Sequence, residues 1–152
     1  MIEYAGSIVE RTQKALGHDV YPTKTPSSHD LRDHNADTTE RGDFGLDLTA
    51  RQEIVGMLMW YMRCCRPDIA YATSVMASRI TTWSSACTEA IEQVVGYVKA
   101  TDGVGVWMKV HREDKPQDLR VECYADSDWS FPRSQHGYIT FVTSDRGTHI
   151  PL

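Results

Sequence analysis

The 152 residues contain no apolar run long enough to cross a bilayer as a helix, and Met1-Ile2-Glu3 opens no basic-then-apolar leader. Both absences point to a soluble chain of the cytosol or nucleus, neither secreted nor membrane-bound. Cysteine is sparse: Cys64 and Cys65 are adjacent, while Cys87 and Cys123 stand alone. That spacing makes neither a zinc pattern nor a secreted disulfide framework, so reduced, structural thiols are expected. The six histidines are scattered, with His29 and His34 in one polar loop, and no metal cluster is read from them. Positive charge is also short, with 16 Lys and Arg against 21 Asp and Glu and a net charge of −5. A freestanding nucleic-acid binder draws its affinity from Lys and Arg on phosphates, so this balance disfavours that class unless a local basic face exists. Internal repeats and low-complexity tracts are missing, which leaves solenoids and arrays without support.

What is present is an ordinary apolar fraction of 41%, suited to one domain or to a helical subdomain with part of another. Ile2, Ala5, Ile8, Val9, Thr12 and Leu16 recur at helical spacing, with Gly17 placed to cap the end. Tyr21-Pro22-Thr23-Lys24-Thr25-Pro26 then breaks regular structure. From Ser27 to Leu48 the composition turns polar, as in a linker. Thr49, with Gln52 three residues on, has the arrangement of a capping box. It precedes an apolar stripe of Ile54, Val55, Leu58, Met59 and Met62, widened by Met57, Trp60 and Tyr61.

Arg66-Pro67-Asp68 interrupts the pattern, and Pro67 and Asp68 suit the first turn of a new helix. That helix carries Ile69, Ala72, Thr73, Met76 and Ile80 inward. Ser84 or Ser85 caps a third helix that buries Cys87, Ile91, Val94, Val95 and Val98 and ends at Thr101-Asp102-Gly103. Afterwards the period becomes two, predicting strands over Val104–Val110, Leu119–Ala125, Gly137–Thr143 and Thr148–Leu152, the first two paired. The class is α+β. Residues 1–26 read as an N-terminal helix and proline-containing turn, 27–48 as a linker, 49–103 as a three-helix bundle and 104–152 as an incomplete antiparallel sheet.

The stretch with chemistry is Tyr124-Ala125-Asp126-Ser127-Asp128-Trp129. Asp126 and Asp128 lie at i and i+2, so a strand delivers both carboxylates to one face at its end. Carboxylates there suit a hard cation such as Mg²⁺. Asp also ends strands and starts turns with no ligand at all, and the spacing alone leaves both readings open.

This stretch resembles the Tyr-x-Asp-Ala-Asp-Trp segment that begins the ribonuclease H part of copia-type LTR retrotransposon polyproteins. Other segments resemble the same family in order. Gly56-Met57-Leu58-Met59-Trp60 is similar to its Gly-Ser-Leu-Met-Tyr, and Arg66-Pro67-Asp68-Ile69-Ala70-Tyr71-Ala72 is similar to its most recognisable heptad. Glu89-Ala90, Tyr97, Lys99 and Thr101 follow a further pattern, as do Arg133-Ser134 and Gly137-Tyr138.

The resemblance implies that residues 49–103 are the thumb or connection region of a reverse transcriptase and that residues 104–152 begin a ribonuclease H sheet. It implies Mg²⁺ as cofactor, Asp126 as the first metal ligand with Asp128 beside it, and an RNA–DNA hybrid or template–primer as partner. Arg66, Arg79 and Lys99 are the candidates for contact with the nucleic-acid backbone, or else solvated helix charges.

The departures matter. No Tyr-x-Asp-Asp polymerase motif occurs in the chain, and one Asp cannot assemble a two-metal site. Glu92, Gln93 and Gly96 replace basic residues on the third helix, and Gly96 weakens a helix by about 1 kcal/mol relative to Ala. The chain therefore reads as a polyprotein fragment that is inactive alone and binds hybrid weakly. The alternative is a degenerate or domesticated remnant that serves as a protein-interaction module. An autonomous enzyme using Asp126 and Asp128 is the third reading. The incomplete sheet leaves unpaired edge groups, so either a homodimer through that edge or partial disorder after Gly103 is expected.

Overall fold

The computed structural model describes residues 2–27, 44–128 and 135–152, with only the backbone of Asp128 and Gln135. Most of the polar linker, including His29 and His34, lies outside the described residues, as do Trp129 and Arg133-Ser134. The chain forms two compact units, Met1–Gly105 and Val106–Leu152. Its helices and antiparallel strands make it an α+β protein.

In the first unit, α1 (Ile2–Leu16) turns Ala5, Ile8 and Thr12 into the core. Gly17 ends it with φ +78°, a left-handed backbone that glycine adopts without a Cβ clash. α2 (Leu48–Cys64) is capped by Asp47 and not by Thr49, a correction to the sequence reading. Asp47 Oδ1 accepts the Ala50 N–H at 2.7 Å. A carboxylate serves this position well because it satisfies an orphan amide and also faces the positive end of the helix dipole.

A 3₁₀ turn over Pro67–Ile69 leads into α3 (Ala70–Ser78), which buries Ala72, Thr73, Val75 and Met76. α4 (Ser85–Ala100), with Ser84 as its N-cap, buries Cys87, Ile91, Val94, Val95 and Val98 as its periodicity requires. α1 packs on α2 and α4, α2 on α3, and α3 on α4. The N-terminal helix, set apart from the three later helices in the sequence reading, thus joins them around one core.

The segment after α1 runs along α4. Thr23 Oγ1 donates to the Gln93 carbonyl at 2.8 Å, Gln93 Nε2 donates to Thr25 Oγ1 at 3.2 Å, and Lys99 Nζ donates to the Val20 carbonyl at 2.9 Å. Between these ties sits Gly96, where a β-carbon would lie 2.3 Å from the Tyr21 carbonyl oxygen. Gly96, read from sequence as a weak point, is the place where this close approach excludes a side chain.

The second unit is a meander of β1 (Arg120–Asp128), β2 (Gln135–Thr143) and β3 (His149–Pro151), antiparallel in the order β1-β2-β3. Arg120 faces Thr143 at one end of the first pair and Asp128 faces Gln135 at the other. The strand expected over Val104–Val110 does not form. Only Lys109 joins the sheet, through a bridge in which it and His149 exchange N–H···O bonds of 3.0 and 2.8 Å. Trp107 is 87% exposed and Met108 and Val110 are also exposed, so their alternation has no apolar layer to face. The expected pairing of Leu119–Ala125 with that segment is corrected accordingly: β1 pairs with β2.

Gly96→Ala should destabilise the protein by about 1–3 kcal/mol, because the methyl displaces backbone and not a flexible side chain. Gly6→Ala in α1 should stabilise it by about 0.5–1 kcal/mol, since nothing lies within 4 Å of that β-carbon. Urea unfolding followed by far-UV circular dichroism measures both.

Candidate functional site

Arg66 is 0% exposed. It follows α2, where its amide donates to the Tyr61 carbonyl at 3.2 Å, and it precedes the Pro67 turn. Its guanidinium grips Asp68 through Nε at 2.9 Å and Nη2 at 2.8 Å. From the same fork Nη1 donates to the Thr101 carbonyl at 3.1 Å and Nη2 to Thr101 Oγ1 at 2.7 Å. The Tyr97 ring lies against the guanidinium carbon at 5.2 Å. The planar fork is suited to such divided bonding, whereas an ammonium is not.

The hydrogen bonds that Arg66 donates to Asp68 raise the Arg66 pKa still further, outweighing the opposing effect of burial. For Asp68, partial burial pushes the carboxyl up, but the hydrogen bonds and charge of Arg66 prevail and the net shift is downward. Arg66 therefore joins the end of α2, the following turn and the end of α4, and offers no donor at the surface.

Lys99 is an exposed residue, yet its ammonium is held by Gln13 Oε1 at 3.2 Å and the Val20 carbonyl at 2.9 Å. Arg79 is the C-cap of α3 and half-exposed, with no side-chain partner among the described residues. Of the three basic candidates, Arg79 is the one left with a free guanidinium. The positions read as missing basic residues have other roles: Gln93 and Gly96 hold the segment after α1, and Glu92 lies 3.4 Å from His18.

Asp126 lies in β1 opposite Gly137, exposed, and Asp128 occupies the last position of the strand. Alternation along β1 sets Asp126 on the face that carries Glu122 and Tyr124. Among the described residues no three His, Cys, Asp or Glu side chains stand where they could hold a metal ion. Asp126 by itself does not fit a two-ion site, whose cations need several carboxylates between them.

A polar cluster unnoticed in the sequence ties the loop before β1 to the turn after β2. Asp114 accepts hydrogen bonds from Ser144 Oγ and Thr148 Oγ1, and Arg146 Nη1 donates to Asp118 at 3.0 Å and to the Glu113 carbonyl at 3.1 Å. The Ser144 and Thr148 hydroxyls lower the Asp114 pKa. Asp114 and Asp118 both take their donors from the protein itself, which makes this a clamp. The sequence does not reveal it, because the partners are about thirty residues apart, as in Ser144 to Asp114 with a separation of 30.

Among known proteins, the chain is 35% identical over 95 residues to the uncharacterized mitochondrial protein AtMg00810 of Arabidopsis thaliana, an alignment covering 60% of this chain and 37% of that protein. It thus spans well under half of that relative. It is also 31% identical over 86 residues to the uncharacterized mitochondrial protein AtMg00240 of the same plant, covering 54% of this chain and 73% of that one. The chain belongs to the AtMg00240 family. No family model matches the chain, and no solved structure does.

For this member of the AtMg00240 family, the buried pair makes an asymmetric prediction. Asp68→Ala strands a guanidinium in the interior and should cost about 3–5 kcal/mol. Arg66→Met leaves a carboxylate that turns to solvent, and should cost less, about 1–3 kcal/mol. Because the folded Asp68 pKa is lowered, its contribution is complete above the ordinary carboxyl range and is lost as pH falls through the lower folded value. Chemical unfolding between pH 7 and pH 3 should show that loss in the wild type and a reduced one in Asp68→Asn.

Proposed function

We propose that this chain is a portion of a copia-type reverse transcriptase and ribonuclease H polyprotein. Residues 49–103 then belong to the helical region beyond the polymerase palm, and residues 104–152 begin the ribonuclease H sheet. The observation that supports this most is the antiparallel meander led by a nine-residue strand that presents Asp126, exposed, two positions before its end. A strand offering a hard-oxygen ligand near its tip is what the Tyr124–Trp129 resemblance implies. In that chemistry two Mg²⁺ ions activate the attacking water and steady the leaving oxygen. The described side chains do not fit two ions, so on this reading Asp126 contributes one ligand and the chain alone cuts nothing.

The same reading makes the chain a weak partner of RNA–DNA hybrid. Arg66 is buried, Lys99 is tied to the fold, and Arg79 remains to meet phosphate. A second reading, a remnant that serves as a protein-interaction module, gains from that same loss of free basic side chains and from the net charge of −5.

Incubated with Mg²⁺ or Mn²⁺, the chain should leave a labelled RNA–DNA hybrid intact; metal-dependent cleavage that disappears in Asp126→Asn overturns this. Fluorescence anisotropy with a hybrid duplex at physiological salt should give binding no tighter than about 1 μM, the tight end of non-specific affinity. Tighter binding that is lost in Arg79→Ala would reveal a basic face stronger than the one described.

A further inference from the structure

The long edge of the sheet is β1. Its inner side pairs with β2 over nine positions, while among the described residues its outward amides and carbonyls have no backbone partner. At the other side of the sheet, β3 is three residues long and is met by the Lys109 bridge. Natural edge strands are commonly shortened, bulged or guarded by Pro and by charges, above all Lys; Arg120–Asp128 is nine residues long with neither Lys nor Pro, and its charges stand only at alternate positions. The face beside this edge is apolar and open: Val121 is 68% exposed and Tyr138 77%, with Cys123 and Ala125 exposed between them.

We propose that this edge pairs with β1 of a second copy, antiparallel about a two-fold axis at Cys123, to make one six-stranded sheet. The axis is normal to the sheet, so residues of like parity face each other and the apolar faces of the two copies run on continuously. Charge selects the register. An axis at Tyr124 sets Arg120 against Asp128 twice but offsets this with Glu122 against Asp126 twice, and an axis at Ala125 sets Glu122 against Asp128 twice. An axis at Cys123 sets Arg120 against Asp126 twice, Val121 against Ala125 twice, and no like charges together. Opposite charges across strands stabilise a pair and like charges oppose it. Arg120 already binds Glu122 through Nε and Asp145 through Nη1, which leaves Nη2 free among the described residues for the partner's carboxylate. This inference rests on the open edge and stands apart from the polyprotein reading.

Sedimentation velocity on the full chain should show a dimer in the micromolar range. Arg120→Asp and Asp126→Arg should each raise the dissociation constant by about tenfold or more, and the double variant should restore it, as reciprocal pairing requires. Directly opposed strand residues have Cα atoms about 4.5–5.5 Å apart, within the range a disulfide spans. With Cys64 and Cys65 changed to Ser, diamide should therefore link Cys123 to Cys123, taking up the two electrons and two protons released. Circular dichroism on each variant separates lost pairing from lost folding. A monomeric wild type at 100 μM refutes the proposal. So does a dimer that is indifferent to both charge reversals, or one that forms no Cys123 link.

Discussion

A buried guanidinium must find a counter-charge and enough acceptors, or its desolvation costs several kcal/mol. Arg66 meets both needs from two directions in sequence, with Asp68 next to it and Thr101 separated by 35 residues. The demand shapes its surroundings. The chain must turn directly after α2 so that Asp68 folds back, which Pro67 favours by fixing its own backbone. The end of α4 must then arrive at the same point to present a hydroxyl and a carbonyl. Ile69 and Ala72 enter the core from the other side of that turn. The heptad Arg66–Ala72 therefore reads best as a packing instruction.

α4 is the platform for the remainder of the first unit. One side of it enters the apolar core, and another carries Gln93, Gly96 and Lys99, three residues apart, each engaged by the segment after α1. A side chain at position 96 would lift that segment away, so the loss of helix propensity is the cost of close approach.

The second unit is held together differently. All the buried hydrophobic residues among the described residues lie between Ala5 and Val98, whereas what the sheet unit buries is polar: Thr143, Ser144 and Thr148, with the side chain of Asp114. A three-stranded sheet whose own described residues bury no apolar side chain depends on its ladder and on polar clamps such as the one around Asp114. Exposed Val121 and Tyr138 follow from that lack of cover, and so does the open edge of β1.

The α+β class, the end of α1 at Gly17, the buried positions of α4 and the strand pattern around Cys123 and Tyr138 were legible in the sequence. Periodicity and caps are local properties, and residues three or four apart suffice to reveal them. What the sequence did not determine was which side chains would meet. It left Arg66 and Lys99 open to phosphate contact, while the tertiary structure buried one against Asp68 and Thr101 and tied the other to Val20, 79 residues away. It alternated Val104 to Val110 like a strand, but a strand needs a partner and a covering layer, and those arise only when distant segments come together. Burial and pairing are long-range quantities, so they were decided by the fold.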